Sequence, residues 1–308
     1  MKALIHIGMP KAGSSSIQEF LKINREVLSS RGIRYAPFNP DFGSQYELAA
    51  TGLAGAGKGI RDGTARQVLG LNSAEDEAAY VARYRAFLDA GLAEWREDLF
   101  VGSSEHIQPW LARSETIAAL DIFLRNRFDA VRYVVYLRPQ ADTLLSSYSE
   151  RIRRGETLDF ETHLQGRLKA LNLNQIVKLW ETAVGADRLD ARLLVRDALT
   201  GGDLIHDFCA ALDTPGDGLR APGRMNTALS REEIALHRRL NRVLPVRRAG
   251  GAPNPFHLAA LRGLGVFLRR PGTPLTLTNA QKAEIETHFA ASNERLRARR
   301  FAQRARLF

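Results

Sequence analysis

The sequence predicts an α/β protein with a mostly parallel sheet flanked by helices, and three observations predict it. Short apolar runs alternate with stretches whose apolar residues recur at helical spacing, the pattern of successive βαβ units. The first such run, Ala3 to Gly8, passes through a glycine-bounded loop straight into a helical stretch. Beyond residue 213 the strand-like runs stop, and two helix starts of capping-box form appear, Ser230 with Glu233 and Thr278 with Gln281. With no internal repeat and no clean linker, the chain reads as a single domain over 1–308. Its core spans about 1–230 and a helical C-terminal extension about 230–308.

In chain order, Ala3-Leu4-Ile5-His6-Ile7-Gly8 suits a buried parallel strand. After the loop Met9 to Gly13, residues Ile17, Phe20, Leu21 and Leu28 fall on one helical face. Gly32 is placed to stop that helix, and Ile33-Arg34-Tyr35 begins a second extended piece. Residues 37–72 are rich in Gly, Pro and Asn and carry Gly52-Leu53-Ala54-Gly55-Ala56-Gly57, so they read as a long, mobile connection. Ser73, with Asp76 three on, marks a helix start, and Val81, Tyr84, Leu88, Leu92 and Trp95 form its core-facing stripe. Leu99 to Gly102 is the next strand, followed by Ser103-Ser104-Glu105-His106. A helix over about Ser114 to Phe128 leads into the strongest strand, Val131 to Leu137. Arg138-Pro139 breaks it, a helix runs from near Gln140 past Arg151, and a last strand covers Ala191 to Val195. Leu229 and Ile234 form the hydrophobic staple of the Ser230 helix, Pro245 to Pro274 is broken by Pro and Gly, and the last helix reaches about Arg300.

Composition excludes several classes. With 44% hydrophobic and 25% charged residues, the 308-residue chain is neither disordered nor fibrous. One cysteine, Cys209, cannot build an internal disulfide framework or a Cys-based zinc site and reads as a small buried apolar residue. The seven histidines are scattered without ligand spacing, so no metal is expected. No export signal and no run of ~18 apolar residues is visible, so the expected location is cytoplasmic. The net charge of +10 points to an acidic partner. Of the 44 basic residues 37 are arginine, densest over Arg295, Arg297, Arg299, Arg300, Arg304 and Arg306. That run reads as a solvated helical tail, with peripheral membrane or polyanion contact as the alternative.

The chemistry concentrates in Ile5 to Ile17. Strand, glycine-bounded loop and helix start aim backbone N–H groups and the positive helix end at a phosphate, and Ser14, Ser15 and Ser16 add hydroxyl donors. Gly8 and Gly13 have the separation of the nucleotide-kinase pattern G-x-x-x-x-G-K-[ST], but Ser14 follows Gly13 and the lysine lies inside the loop, at Lys11. An ordinary P-loop kinase is therefore disfavoured.

Pro10-Lys11-Ala12-Gly13-Ser14-Ser15-Ser16 resembles the 5′-phosphosulfate-binding loop of sulfotransferases that use 3′-phosphoadenosine 5′-phosphosulfate (PAPS), whose usual form is P-K-[ST/A]-G-[ST]-[ST]. The resemblance implies a P-loop NTPase-like fold, with PAPS as donor and no metal. It implies that Lys11 contacts the oxygen bridging sulfate and phosphate while Ala12, Gly13 and the three serines hold the donor. The family's second signature is an arginine at the end of a central strand and a serine eight residues on, both binding the 3′-phosphate; Arg138 and Ser146 match it. Pro139 directly after Arg138 departs from the usual spacing of that segment. Arg196-Asp197 and Arg224-Met225-Asn226-Thr227-Ala228-Leu229-Ser230 look like recurring pieces of bacterial members.

Similar family members place a catalytic Glu or His after the strand that corresponds to Leu99–Gly102, which here points to Glu105 or its neighbour His106. A free glutamate is a weak base for a hydroxyl unless desolvated, whereas histidine starts near neutrality; on an extended segment only one of the two faces the site. Likeness to bacterial, carbohydrate-type members implies a hydroxyl-bearing acceptor, a polysaccharide or glycolipid, and no nucleic acid. Two other functions stay open. An atypical P-loop phosphotransferase would need magnesium and a lysine after Gly13. A non-catalytic nucleotide- or glycan-binding relative would have no use for Lys11 together with Glu105.

Overall fold

The structure is a computed structural model, and it describes residues 1–223, 228–248, 252–266, 268 and 272–308. Its elements in chain order are β1 (Lys2–His6), α1 (Ser14–Ile23), α2 (Arg25–Ser30), β2 (Ile33–Arg34), α3 (Tyr46–Gly55), α4 (Gly63–Val68), α5 (Ala74–Glu94) and β3 (Leu99–Ser103). Then follow α6 (Ile107–Trp110), α7 (Ser114–Arg125), β4 (Ala130–Leu137), α8 (Gln140–Arg153), α9 (Phe160–Arg167), α10 (Leu173–Val184) and β5 (Leu189–Leu193). The chain ends with α11 (Leu204–Ala211), α12 (Arg231–Val243), α13 (Pro255–Gly265) and α14 (Asn279–Arg300). The fold is α/β, with a parallel sheet flanked by helices.

By internal contacts the chain divides into two compact units. The first holds Met1–Arg138, Asn174–Met225 and Phe308. Its five strands pair in the order β2-β3-β1-β4-β5, every pair parallel, with Lys2 opposite both Leu99 and Ala130 and Tyr133 opposite Leu189. Ala3, Leu4, Ile5 and His6 are all buried in succession, which requires cover on both faces of the sheet. Two polar knots hold β4. The Tyr133 hydroxyl donates to Asp121 at 2.8 Å while Arg188 donates to both oxygens of the same carboxylate at 2.6 and 2.8 Å. The Tyr136 hydroxyl donates to Asp207 at 2.9 Å, which also accepts from Arg192. Through these two carboxylates α7 and α11 are tied to the sheet.

Three expectations are corrected here. The helix expected from Ile17 to Leu28 is two helices that meet at Asn24 (φ −110°, ψ 10°), whose backbone N–H still donates to Phe20 O while its side-chain amide donates to Arg220 O at 2.9 Å and accepts from Arg220 N at 2.8 Å. The last strand lies two residues earlier than expected, at Leu189–Leu193. The stretch read as a mobile connection contains α3 and α4, and α3 is core, with Leu48, Ala49, Ala50, Thr51 and Leu53 buried. Its glycines serve close packing, since a Cβ on Gly52 would stand 2.9 Å from Leu111 Cδ1.

The second unit holds Pro139–Leu173 and Asn226–Leu307. One apolar cluster gathers Leu144, Leu164, Leu168, Leu171, Ile285 and Phe289; another gathers Tyr148, Ile152, Leu229 and Ile234. Both capping boxes read from the sequence are present, at Ser230–Glu233 and at Thr278–Gln281. Of the family-like segment 224–230, residues 224–227 lie outside the described residues.

Candidate active site

The loop between β1 and α1 is built from left-handed backbone at Gly8 (φ +49°), Lys11 (+63°) and Gly13 (+85°). For a lysine that conformation costs ~1–3 kcal/mol, so the surrounding structure imposes it. At Gly8 no other residue fits: a Cβ would meet the Ser104 carbonyl oxygen at 2.5 Å and Glu105 Cα at 2.7 Å. The exits of β1 and β3 therefore lie against each other, and the ladder continues past the strands, with Ser104 N donating to His6 O at 3.1 Å and Gln108 N to Ile7 O at 3.0 Å. This places Glu105 beside the loop.

Helix α1 starts at Ser14 with Gly13 as N-cap and no side chain capping it. Ser16 N already donates to Gly13 O at 3.0 Å, whereas the Ser14 and Ser15 amides stand ahead of the first intrahelical acceptor, and the helix dipole adds to their positive field. The three serines diverge. Ser14 is buried, and its hydroxyl finds no partner among the described residues. Ser15 lines a cleft of about 490 Å³, together with Gln18, Lys22, Phe42, Ser44 and Glu105. Ser16 lines a second cleft of about 440 Å³, with Phe20, Leu204, His206 and Arg220. The loop thus stands between two clefts of the first unit.

Arg138, at the end of β4, comes to the same loop. Its Nη1 donates to the carbonyl oxygen of Lys11 at 2.7 Å, so two motifs 127 residues apart meet. Ser146 sits on α8 in the second unit, half-buried. Its neighbour Ser147 is buried and bonded to His163 Nε2 at 3.0 Å.

Glu105 and His106 behave differently. Glu105 is exposed and lines the larger cleft. The His106 Nδ1 is 3.0 Å from Ser44 Oγ, and its ring stacks on Tyr46 with centroids 4.1 Å apart. Ser44 was not read from the sequence, yet it organises this corner: its hydroxyl also lies 3.0 Å from Ser104 Oγ and accepts from Glu105 N at 3.3 Å. Beside it, Gln45 N donates to Ser103 O at 3.2 Å while Ser103 N donates to Gln45 Oε1 at 2.7 Å. The segment before α3 is thereby stitched to the exit of β3. Only the aromatics Phe42 and Tyr46 among glycines and prolines could have signalled a binding wall here.

Two buried titratable groups flank the site. His6, at the end of β1, is held neutral by burial, its pKa lowered to about 3, and its Nδ1 lies 2.9 Å from Ser103 Oγ. Glu47 is buried and raised to about 7, burial outweighing hydrogen bonds that include the Phe38 amide at 3.1 Å. Among the described residues no group of three His, Cys, Asp or Glu side chains could hold a metal ion, and no helix is long and apolar enough to cross a membrane.

No protein-family model matches the chain, and no curated protein matches it. Among solved structures it is similar to a sulfotransferase from Alicyclobacillus acidocaldarius, with a TM-score of 0.49 and 14% identity over 96% of this chain and 94% of that one.

Proposed function

We propose that the chain is a PAPS-dependent sulfotransferase of the cytoplasm, moving a sulfuryl group to a hydroxyl of a polysaccharide or glycolipid. The observation that carries this reading is the hydrogen bond from Arg138 to the Lys11 carbonyl, which joins the two phosphate-binding motifs at one loop of the first unit. The residues fit such a donor. Lys11 replaces the post-glycine lysine of a kinase, the uncapped start of α1 presents amides, and Arg138 offers a planar fork suited to phosphate. When bound, the donor supplies an activated sulfuryl group.

The rest falls to this chain's own side chains. Lys11, with the α1 amides, neutralises the negative charge that grows on the leaving phosphate. Glu105 takes the proton from the attacking hydroxyl, and Ser44 fixes the Glu105 backbone from behind. The larger cleft carries Glu105, which makes it the acceptor's side. Its Phe42 and Tyr46 rings offer apolar faces to a sugar ring, and Gln18 and Ser15 offer polar groups to its hydroxyls.

Calorimetry with 3′,5′-adenosine bisphosphate, against ATP with magnesium, tests the donor assignment. Expected is metal-independent binding at micromolar affinity or tighter, weakened at least about tenfold in Arg138→Ala, the loss of a charge-assisted bidentate contact. Magnesium-dependent ATP binding without binding of the bisphosphate would establish the phosphotransferase instead.

A further inference from the structure

From Ile234 to Ala283 the sequence holds nine Lys and Arg residues and not one Asp or Glu. Within that stretch α13 is firmly seated. The amide of Asn254 donates to Pro245 O at 2.8 Å, its backbone N–H to Val246 O at 2.9 Å, and the buried His257 places Nδ1 3.0 Å from Leu244 O. Asn254 also caps α13 by accepting from Phe256 N. The helix is thus held in one orientation, and its solvent side can be read.

That side inverts the usual pattern of a surface helix, apolar inward and charged outward. It presents Phe256 (68% exposed), Leu258, Ala259, Gly263 and Val266 just past its end (79% exposed), with Arg262 as its one charge. Of the eight large apolar side chains exposed among the described residues, five lie between Val243 and Val266. A cluster of this kind marks a docking surface. The charge pattern says for what. Arg248 stands over the Phe256 ring at 5.7 Å, Arg262 rises among the apolar residues, and no carboxylate of the stretch opposes them. A second copy of the same face would bring like charges together. Apolar side chains bordered by arginines on one helix are the arrangement of a helix lying in a lipid interface.

We propose that α13 and its arginines form a membrane-docking surface that seats the protein on an anionic lipid bilayer. Phe256, Leu258 and Val266 enter the acyl boundary, and Arg248 and Arg262 meet headgroup phosphates. This surface is separate from the arginine run at the C-terminus, where Arg297 is already engaged by Glu294 at 2.7 and 2.8 Å. It does not rest on the sulfotransferase reading.

Vesicle flotation tests it, with phosphatidylcholine alone and with about one third phosphatidylglycerol, at ~0.1 M salt. The wild-type chain is expected to float with the anionic vesicles and not with the neutral ones. Phe256→Ser with Val266→Ser, and separately Arg248→Glu with Arg262→Glu, should each cut the bound fraction about tenfold or more. Far-UV dichroism and melting temperature should stay at wild-type values, because these side chains are exposed. Arg295→Glu with Arg306→Glu, in the C-terminal run, should still float. The proposal is overturned if the wild type stays unbound, if either α13 variant binds like wild type, or if only the C-terminal variant loses binding. Dimerisation in light scattering that Phe256→Ser relieves would overturn it too, by giving the face to a second copy.

Discussion

Glu105→Gln is expected to lower kcat of sulfuryl transfer by about 10²–10⁴-fold while the affinity for 3′,5′-adenosine bisphosphate stays within about twofold of wild type. The amide keeps the size of the side chain and removes the one property in question, acceptance of a proton. Glu105 lines the larger cleft beside Ser15, and Gly8 holds the Glu105 backbone close to the loop. His106 is the competing base, and its geometry opposes that role. Its Nδ1 is occupied with Ser44 and its ring is sandwiched toward Tyr46 and Trp110, at 4.1 and 4.9 Å between centroids. His106→Ala should therefore act through position, reducing kcat about tenfold and leaving the acid limb of the pH–rate profile in place, whereas Glu105→Gln should abolish that limb. Full activity in Glu105→Gln together with loss of the acid limb in His106→Ala would exchange the two roles.

The parts of this molecule that the sequence made legible are those whose physics is local. The tight turn between β1 and α1 is specified by a few consecutive residues, Gly8 to Ser14, because its left-handed backbone and the helix start come from the same short segment. The capping boxes at Ser230 and Thr278 and the helix start at Ser73 were readable for the same reason, each needing only a hydroxyl and a side chain three residues on. The strand β4 announced itself by an apolar run too long to be anything exposed.

What escaped is non-local. Helix α3 is buried nearly all round, so Leu48, Ala49, Ala50 and Thr51 show no amphipathic period, and its glycines look like a linker until Leu111 and Thr116 are seen against Gly52. Ser44 acquires its meaning from Ser104, Glu105 and His106, some sixty residues away in sequence. Nothing in Asn24 foretells that its side chain ties the junction of α1 and α2 to Arg220. The apolar outer face of α13 could not be read from periodicity either, since a helical pattern does not say which side is packed.

Replacing Glu47 by Gln is expected to remove most of the loss of stability that wild type suffers between pH 5 and pH 8. Burial raises this carboxyl from an ordinary value near 4.5 to about 7, against hydrogen bonds from the Phe38 backbone, Gln45 and Tyr80 that favour the charged form. The sign follows from proton binding. Below pH 4.5 the group is protonated folded or unfolded and costs nothing. As pH rises, the unfolded chain releases the proton first, and the folded state must hold a charge in a dry site once pH passes about 7. At 1.36 kcal/mol per tenfold, this destabilises wild type by ~2–3 kcal/mol from pH 5 to pH 8, a dependence the amide lacks. Urea unfolding of both proteins at the two pH values measures it, the difference between them growing in favour of Glu47→Gln. Glu47 also accepts from the Phe38 amide, in the segment that walls the larger cleft. Equal pH dependence in both proteins would show that Glu47 ionises in the folded state as an ordinary carboxylate does.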